Sequence, residues 1–334
     1  MLIVHGTRAL ARPLRSPAIA IGNFDGVHLG HQRLFERARA IADAQPASAG
    51  ASAGADHGDG GPGHAAVLTF EPHPAKVLAP ALAPRLITTP ARKLALMAAA
   101  GPPGKPYLDV CVVEPFTREL AELTPEAFID DILIGALGAR ALIVGHDFSF
   151  GKARRGDPAL LAARAAQHGV SLEVVAPVSV DGMVASSTKV REFVLEGRMD
   201  GARLLLGRDF SLSGEVVRGA GRGRGLGIPT ANLRVREELL PLTGVYAARA
   251  HVGGAVHQAV VNIGSNPTFV LEGALSVEAH LLDFGGDLYG EVLIVDLVQR
   301  LRGEERFPGA EALKVQIGHD IQRARELLRA GGGT

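Results

Sequence analysis

The chain has 334 residues, enough for two domains that each bury a core of their own. Hydrophobic residues make up 47% and charged residues 21%, the profile of a soluble globular protein rather than a disordered chain. Lys+Arg and Asp+Glu both number 35, so no net field draws the protein to nucleic acid or to an anionic membrane.

The N-terminal MLIVHGTRALARPLRSP has no apolar core of signal-peptide length. No stretch reaches the roughly 18 apolar residues needed to span a membrane, and the expected compartment is the cytoplasm. AIAIGNF (18–24) reads as a buried strand ending in a glycine turn, and GHQRLFERARAIADA follows as a helix with Leu34, Ala38 and Ile41 at helical spacing. AAVLTF (65–70), LDVCVV (108–113), ALIVGHDF (141–148) and LEVVAPV (172–178) are further strands. Helices are expected between them in PARKLALMAAA, TPEAFIDDILIGAL and DPALLAARAAQHG. Strands apolar on both faces and separated by helices predict an α/β domain whose parallel sheet is covered on both sides. The lone cysteine, Cys111, lies inside a strand and reads as a buried core residue. QPASAGASAGADHGDGGPGHA (45–65) is too poor in apolar side chains to offset its ordering entropy. It reads as a flexible surface insertion, with His57 and His64 as solvated loop histidines.

After about residue 200 the texture changes. FSLSGEVVRG, GVYAARAHV, AVHQAVVNIG, SVEAHLLDF and EVLIVDLVQRL are short strand-like runs broken by Gly, Pro and Asn, which predicts a small antiparallel barrel or sandwich. GAEALKVQIGHDIQRARELLRA closes the chain as a helix with Leu313, Ile317, Ala324 and Leu328 in one stripe. The expected domains are 1–198 and 199–334, joined by GRMDGARLLLGRDF.

Chemistry-bearing residues fall into two groups. GNFDGVHLGHQ (22–32) stands where an open α/β sheet binds ligands, beyond a strand and at a helix N-terminus. Gly22 and Gly26 admit a phosphate close to the backbone, and His28 and His31 can both face it from the first helical turn. Alone, the stretch is more readily a structural turn with a helix-capping histidine. VGHDFSFGKARRGD (144–157) and ASSTKVRE (185–192), with hydroxyls at a helix start beside Lys189 and Arg191, make a nucleotide pocket the better reading. In the second half, RGAGRGRGLGIPTANL (218–233) is glycine-rich but matches neither a P-loop nor GxGxxG. Thr230 and Asn232 offer neutral oxygens to a magnesium ion that also holds ATP, and a mobile hairpin loop is the competing reading. Glu278, on the polar face of VEAHLLDF, suits a general base beside Mg-ATP, and a solvated strand face is the competing reading.

In its ordered motifs the chain resembles a known family. GNFDGVHLGHQ, with HLGH at 28–31, looks like a nucleotidyltransferase signature. Followed by TFEPHP (69–74), VGHDFSFGKARRGD and SSTKVRE, it resembles the adenylyltransferase module of bacterial bifunctional FAD synthetases. PTAN (229–232), GVYA, NIGSNPTF, VEAHLLDF, DLYG and RLRGEERF resemble the riboflavin kinase domain over nearly its whole length.

The resemblance implies a Rossmann-like nucleotidyltransferase domain and a six-stranded riboflavin-kinase-like β-barrel with a terminal helix. It implies phosphorylation of riboflavin to FMN and adenylylation of FMN to FAD, with ATP as co-substrate, Mg2+ as cofactor and pyrophosphate as leaving group. Under it, His28 and His31 stabilise the adenylyl-transfer transition state, and Ser187, Thr188 and Arg191 hold the leaving pyrophosphate. Gly22, Asn23, Phe24, Asp25, Gly30, Asp147, Gly225 and Gly227 line the nucleotide and flavin sites. Thr230 and Asn232 become magnesium and phosphate ligands, Glu278 the base, and Arg300 and Arg302 weaker candidates for flavin or phosphate contact. Riboflavin, FMN and ATP are then the partners, with no nucleic acid, membrane or obligate protein partner.

Overall fold

The computed structural model describes residues 1–45, 63–219, 227–236, 239–265 and 275–330. Its chain forms two compact units, Met1–Arg85 with Pro90–Ala185 and Leu86–Thr89 with Ser186–Thr334.

The first unit carries six parallel strands: β1 (Leu2–His5), β2 (Ala18–Ile21), β3 (Ala65–Glu71), β4 (Val110–Pro115), β5 (Ala141–Gly145) and β6 (Ser171–Val175). They lie in the order β1-β4-β3-β2-β5-β6. Both faces are covered, so the central strands are continuous apolar runs, and alternate residues serve opposite cores. Ala18, Ala20, Val67 and Cys111 pack with Leu34, Phe35, Ala38 and Met97 on one face. Ile19, Ile21, Leu68, Val112 and Leu142 pack with Phe128, Ile129, Leu133 and Leu161 on the other. Each large side chain so buried stabilises the unit by about 1.5–3 kcal/mol. Cys111 is fully buried, as the sequence predicts, and burial pushes its thiol up to about 12.

The helices Leu29–Ala44, Pro90–Ala98 and Pro158–Gln167 fall in the expected stretches. Over Phe128–Ala136 the turns widen to a π-helix, and Leu137 N donates to Ile132 O at 3.0 Å. A short hairpin, β7 (Ser179–Val180) with β8 (Met183–Val184), ends the unit. Two features depart from the sequence pattern. β1 is an edge strand that the sequence pattern did not mark. His64 is half-buried rather than solvated: its N–H donates to Arg15 O and its C=O accepts from Ala18 N. Burial, reinforced by the Arg15 charge, holds its imidazole below the usual histidine range. His57 lies outside the described residues.

The second unit is a closed antiparallel barrel of β9 (Phe210–Val217), β10 (Ala231–Val235), β11 (Gly244–Val252), β12 (Ala255–Ser265), β13 (Leu275–Leu281) and β14 (Val292–Arg302). Their order is β10-β13-β12-β11-β14-β9, with β9 closing on β10. Burial alternates along β9, β13 and β14, which puts one side chain in two inside the barrel. The interior includes Phe210, Leu212, Ala248, Val261, Val277, Ala279, Val295 and Leu297, all buried. The terminal helix Ala310–Ala330 covers part of the outer wall, with Ala324 and Leu328 against Val245, Ala247 and Val260. Its Asp320 receives a bidentate ion pair from Arg302 at 2.8–3.1 Å. GRMDGARLLLGRDF, expected as a linker, contains the helix Met199–Leu206 with Met199, Gly201, Ala202, Leu205 and Leu206 buried. Its glycine is a packing residue rather than a breaker, because a Cβ at Gly201 would stand 2.9 Å from the Phe193 ring.

Candidate active sites

In the first unit the chain runs from β2 to β3 on one side and places β5 on the other. Strand order therefore reverses between β2 and β5, and the crevice beyond their carboxyl ends is where such sheets bind ligands. Gly22 to His28 leave β2 at that point and lead into Leu29–Ala44. The turn is strained. Phe24 and Val27 have φ of 53° and 43°, beside Gly26 at 82°. Non-glycine residues in the left-handed region cost about 1–3 kcal/mol each and persist where packing over-determines them. Here the strained side chains are also core residues, since Phe24 and Val27 are both about 1% exposed.

That packing sets the histidines. The Phe24 ring meets Phe35 and His31 edge-on, with centroids 4.9 and 5.3 Å apart. His28 and His31 stack with centroids 3.5 Å apart and planes inclined by 25°. Gly30 makes room for the stack, because a Cβ there would lie 3.0 Å from His28 Cε1 and 3.1 Å from the Ala185 carbonyl. Gly22 does the same for Phe24, whose ring would be 3.0 Å from an added Cβ. His28 is the N-cap and His31 lies in the first turn of a 16-residue helix, so both imidazoles sit where the helix dipole already favours an anion. Asp25 is buried within the turn. Asp147, just after β5, is exposed, and its Oδ1 lies 3.2 Å from where a Gly145 Cβ would stand.

Sequence reasoning missed what holds this turn from below. Thr69 Oγ1 donates to Asn23 O at 3.2 Å, and Lys93 Nζ donates to the same oxygen at 3.3 Å. Lys93 is 7% exposed, and burial lowers its ammonium from the usual lysine range against the attraction of Glu71. A cavity of about 220 Å³ beside it is lined by His5, Glu71, Val113 and Pro115, among others.

In the second unit Asn232, Glu278 and Asn262 are paired across β10, β13 and β12, so their side chains form one row on the barrel's outer face. Thr230 Oγ1 donates to Glu278 Oε2 at 3.5 Å, and His280 Nδ1 lies 2.7 Å from Pro229 O, tying down the start of PTAN. The Asn232 amide occupies the space over Gly219, where a Cβ would come within 2.3 Å of its Nδ2. Gly227 has φ 76°, which glycine adopts without strain, and Gly225 lies outside the described residues. Arg300 gives two hydrogen bonds to Thr243 O, at 3.2 and 2.7 Å, and Arg302 grips Asp320. Both guanidinium groups brace the barrel's own backbone and helix. Asn262, within NIGSNPTF, is marked only by its register opposite Glu278.

Ser187, Thr188 and Arg191 lie on the helix Ser187–Leu195. Its cap is Ser186, whose Oγ accepts from Lys189 N at 3.2 Å, so Ser187 and Thr188 open the first turn. By its contacts this helix belongs with the barrel unit, whereas His28, His31 and Asp147 belong to the sheet unit.

Comparison with known proteins bears on both halves. Residues 11–189 match the FAD synthetase family model, and residues 206–328 match the riboflavin kinase model. A bifunctional riboflavin kinase/FMN adenylyltransferase of Pseudomonas fluorescens is 37% identical over 98% of each chain. The Escherichia coli K12 protein of the same description is 34% identical, again over 98% of each. The chain belongs to the bifunctional riboflavin kinase/FMN adenylyltransferase family.

It phosphorylates riboflavin to FMN in its C-terminal part and adenylylates FMN to FAD in its N-terminal part, with ATP as the co-substrate of both reactions. A solved structure described as a macrolide-efflux protein of Streptococcus pneumoniae shares the fold over 97% of this chain and 99% of its own. Its TM-score is 0.77 at 27% identity. Among the described residues no helix is long and apolar enough to cross a membrane.

Proposed function

We propose that this family member performs its two reactions with separate residue sets, divided at about residue 198. In the N-terminal reaction an FMN phosphate oxygen attacks the α-phosphorus of ATP and the bond to the β-phosphate oxygen breaks, releasing pyrophosphate. His28 and His31 donate to the oxygens on which charge builds, and they need form no covalent intermediate. Gly22, Asn23, Phe24, Asp25, Gly30 and Asp147 line the nucleotide and flavin sites, while Ser187, Thr188 and Arg191 hold the pyrophosphate. The observation that carries this reading is the stacked imidazole pair on a strained turn at the point where strand order reverses.

In the C-terminal reaction Glu278 accepts the proton of the ribityl 5′-hydroxyl as its oxygen attacks the γ-phosphorus of ATP and ADP leaves. The close approach of Thr230 to Glu278 and the row shared with Asn232 support this role. The oxygen donors of Thr230 and Asn232 fit a hard cation such as Mg2+, which would keep the remainder of its shell from phosphate and water. When bound, Mg2+ would neutralise charge on the transferring phosphates. Gly225 and Gly227 let the loop approach phosphate, and Arg300 and Arg302 are the weaker candidates for flavin or phosphate contact. On this reading the partners are small molecules, with no nucleic acid, membrane or obligate protein partner, and the enzyme works in the cytoplasm.

The test is to start each variant from riboflavin and, separately, from FMN. Glu278→Gln is expected to lower FMN formation by about 10²–10⁴-fold and leave FAD formation from FMN intact. His28→Ala/His31→Ala is expected to do the reverse. Loss of both activities together in a folded variant would contradict the division.

A further inference from the structure

Lys93 carries an inference of its own. It lies on the helix Pro90–Ala98, which none of the chemistry-bearing motifs includes. An ammonium has three donors and no acceptor, and each donor here has a named oxygen. These are Asn23 O at 3.3 Å, Thr69 Oγ1 at 3.2 Å and Phe70 O at 3.4 Å. Thr69 Oγ1 passes its own proton to Asn23 O, so the turn's first carbonyl is held by two converging donors. Both supports come from the end of β3, the strand paired with β2, and from the helix Pro90–Ala98, which packs in the same core as Phe24 and Val27. Three residues downstream of that carbonyl the backbone is still strained, with Gly26 and Val27 in the left-handed region, and His28 follows directly.

A buried lysine is costly to keep, and packing alone would be better served by leucine or methionine. We propose that Lys93 is a positioning residue for adenylyl transfer, which clamps the Asn23 carbonyl to the end of β3 and so holds the strained turn that sets His28 and His31. The proposal rests on the role assigned above to the two histidines. Lys93 touches no reacting atom. It acts by fixing where the imidazoles stand, a placement to which transition-state stabilisation is more sensitive than ground-state binding.

The test uses the full chain with Lys93→Met, Thr69→Val, Thr69→Ser and the double variant Lys93→Met/Thr69→Val, and reads both activities on each preparation. Lys93→Met is expected to lower kcat for FAD formation by about 10- to 100-fold, with KM for ATP and FMN within about threefold. Riboflavin phosphorylation should stay at the wild-type rate. Thr69→Val should lower the same kcat less, and Thr69→Ser, which keeps the hydroxyl, should restore it. Because both side chains hold one carbonyl, the double variant should be no worse than Lys93→Met within about twofold. A kcat for Lys93→Met within twofold of wild type, or losses that multiply in the double variant, would overturn the proposal. If Lys93→Met does not fold, the Thr69 pair decides. A loss in Val restored by Ser supports the clamp, and wild-type kcat in Val removes it. His28→Ala/His31→Ala, measured alongside, separates the two levels. Retained FAD synthesis there refutes the histidine reading, whereas loss there with an unaffected Lys93→Met refutes the clamp alone.

Discussion

Gly30→Ala separates the demands of the fold from those of the site. Position 30 is helical, where alanine is favoured over glycine by about 1 kcal/mol. Against that, the new Cβ would stand 3.0 Å from His28 Cε1, 3.1 Å from its Nδ1 and 3.1 Å from the Ala185 carbonyl oxygen. Comfortable contacts lie at about 3.5–4.0 Å, so the crowding must be relieved by about half an ångström. The carbonyl belongs to the backbone, and the movable partner is the imidazole, already stacked at 3.5 Å on His31. Overpacking of this size costs about 1–3 kcal/mol, and the helical gain offsets part of it, for a net loss of about 0–2 kcal/mol. The chemistry is less forgiving, because misplacement by about 1 Å can cost 10²-fold, and half that shift predicts about a tenfold loss. The assay is FAD formation from FMN and ATP, with riboflavin phosphorylation on the same sample as the control for folding. A Gly30→Ala protein that makes FAD at the wild-type rate would refute the claim that the glycine exists to seat His28.

Three further outcomes follow from the packing. Gly219→Ala should push the Asn232 amide out of its place, since the Cβ would come within 2.3 Å of Nδ2. FMN formation should fall about tenfold or more while FAD formation from FMN is unchanged, as read by product chromatography. Asp320→Ala leaves Arg302 paired with nothing on the terminal helix, in a site where the two side chains are 15% and 6% exposed. Denaturant unfolding should show a loss of about 3–5 kcal/mol in the barrel unit. Cys111, with its thiol pushed up to about 12, should resist alkylation at pH 8 in the native protein and react fully in guanidinium.

Much of the fold was legible because its signals are local. GVYAARAHV is β11 residue for residue, and the buried runs that became β2, β3 and β5 are apolar on both faces. β1 escaped because a four-residue edge strand with Leu2 and Ile3 exposed shows neither alternation nor burial. The helix Met199–Leu206 escaped because glycine at 201 reads as punctuation until Phe193 is seen packing on it. At the sites, glycine and histidine spacing exposed the His28 turn. The clamp beneath it left no trace, since Lys93 binds carbonyls far away in sequence and a carbonyl has no residue identity to read. A lysine in PARKLALM looks like any solvated helix charge. Asn262 shows the same limit, because its place beside Glu278 is a matter of strand register.

The central claim is that one chain carries two independent transfer reactions joined by FMN. The most direct measurement mixes the Glu278→Gln protein with the His28→Ala/His31→Ala protein and supplies riboflavin and ATP. Either protein alone should form FAD at no more than about a hundredth of the wild-type rate, the first for want of FMN and the second because it stops there. Together they should form it, with FMN appearing first and then being consumed. FAD from either variant alone at a rate near that of the mixture, or none from the mixture while each retains its single activity, would contradict the account.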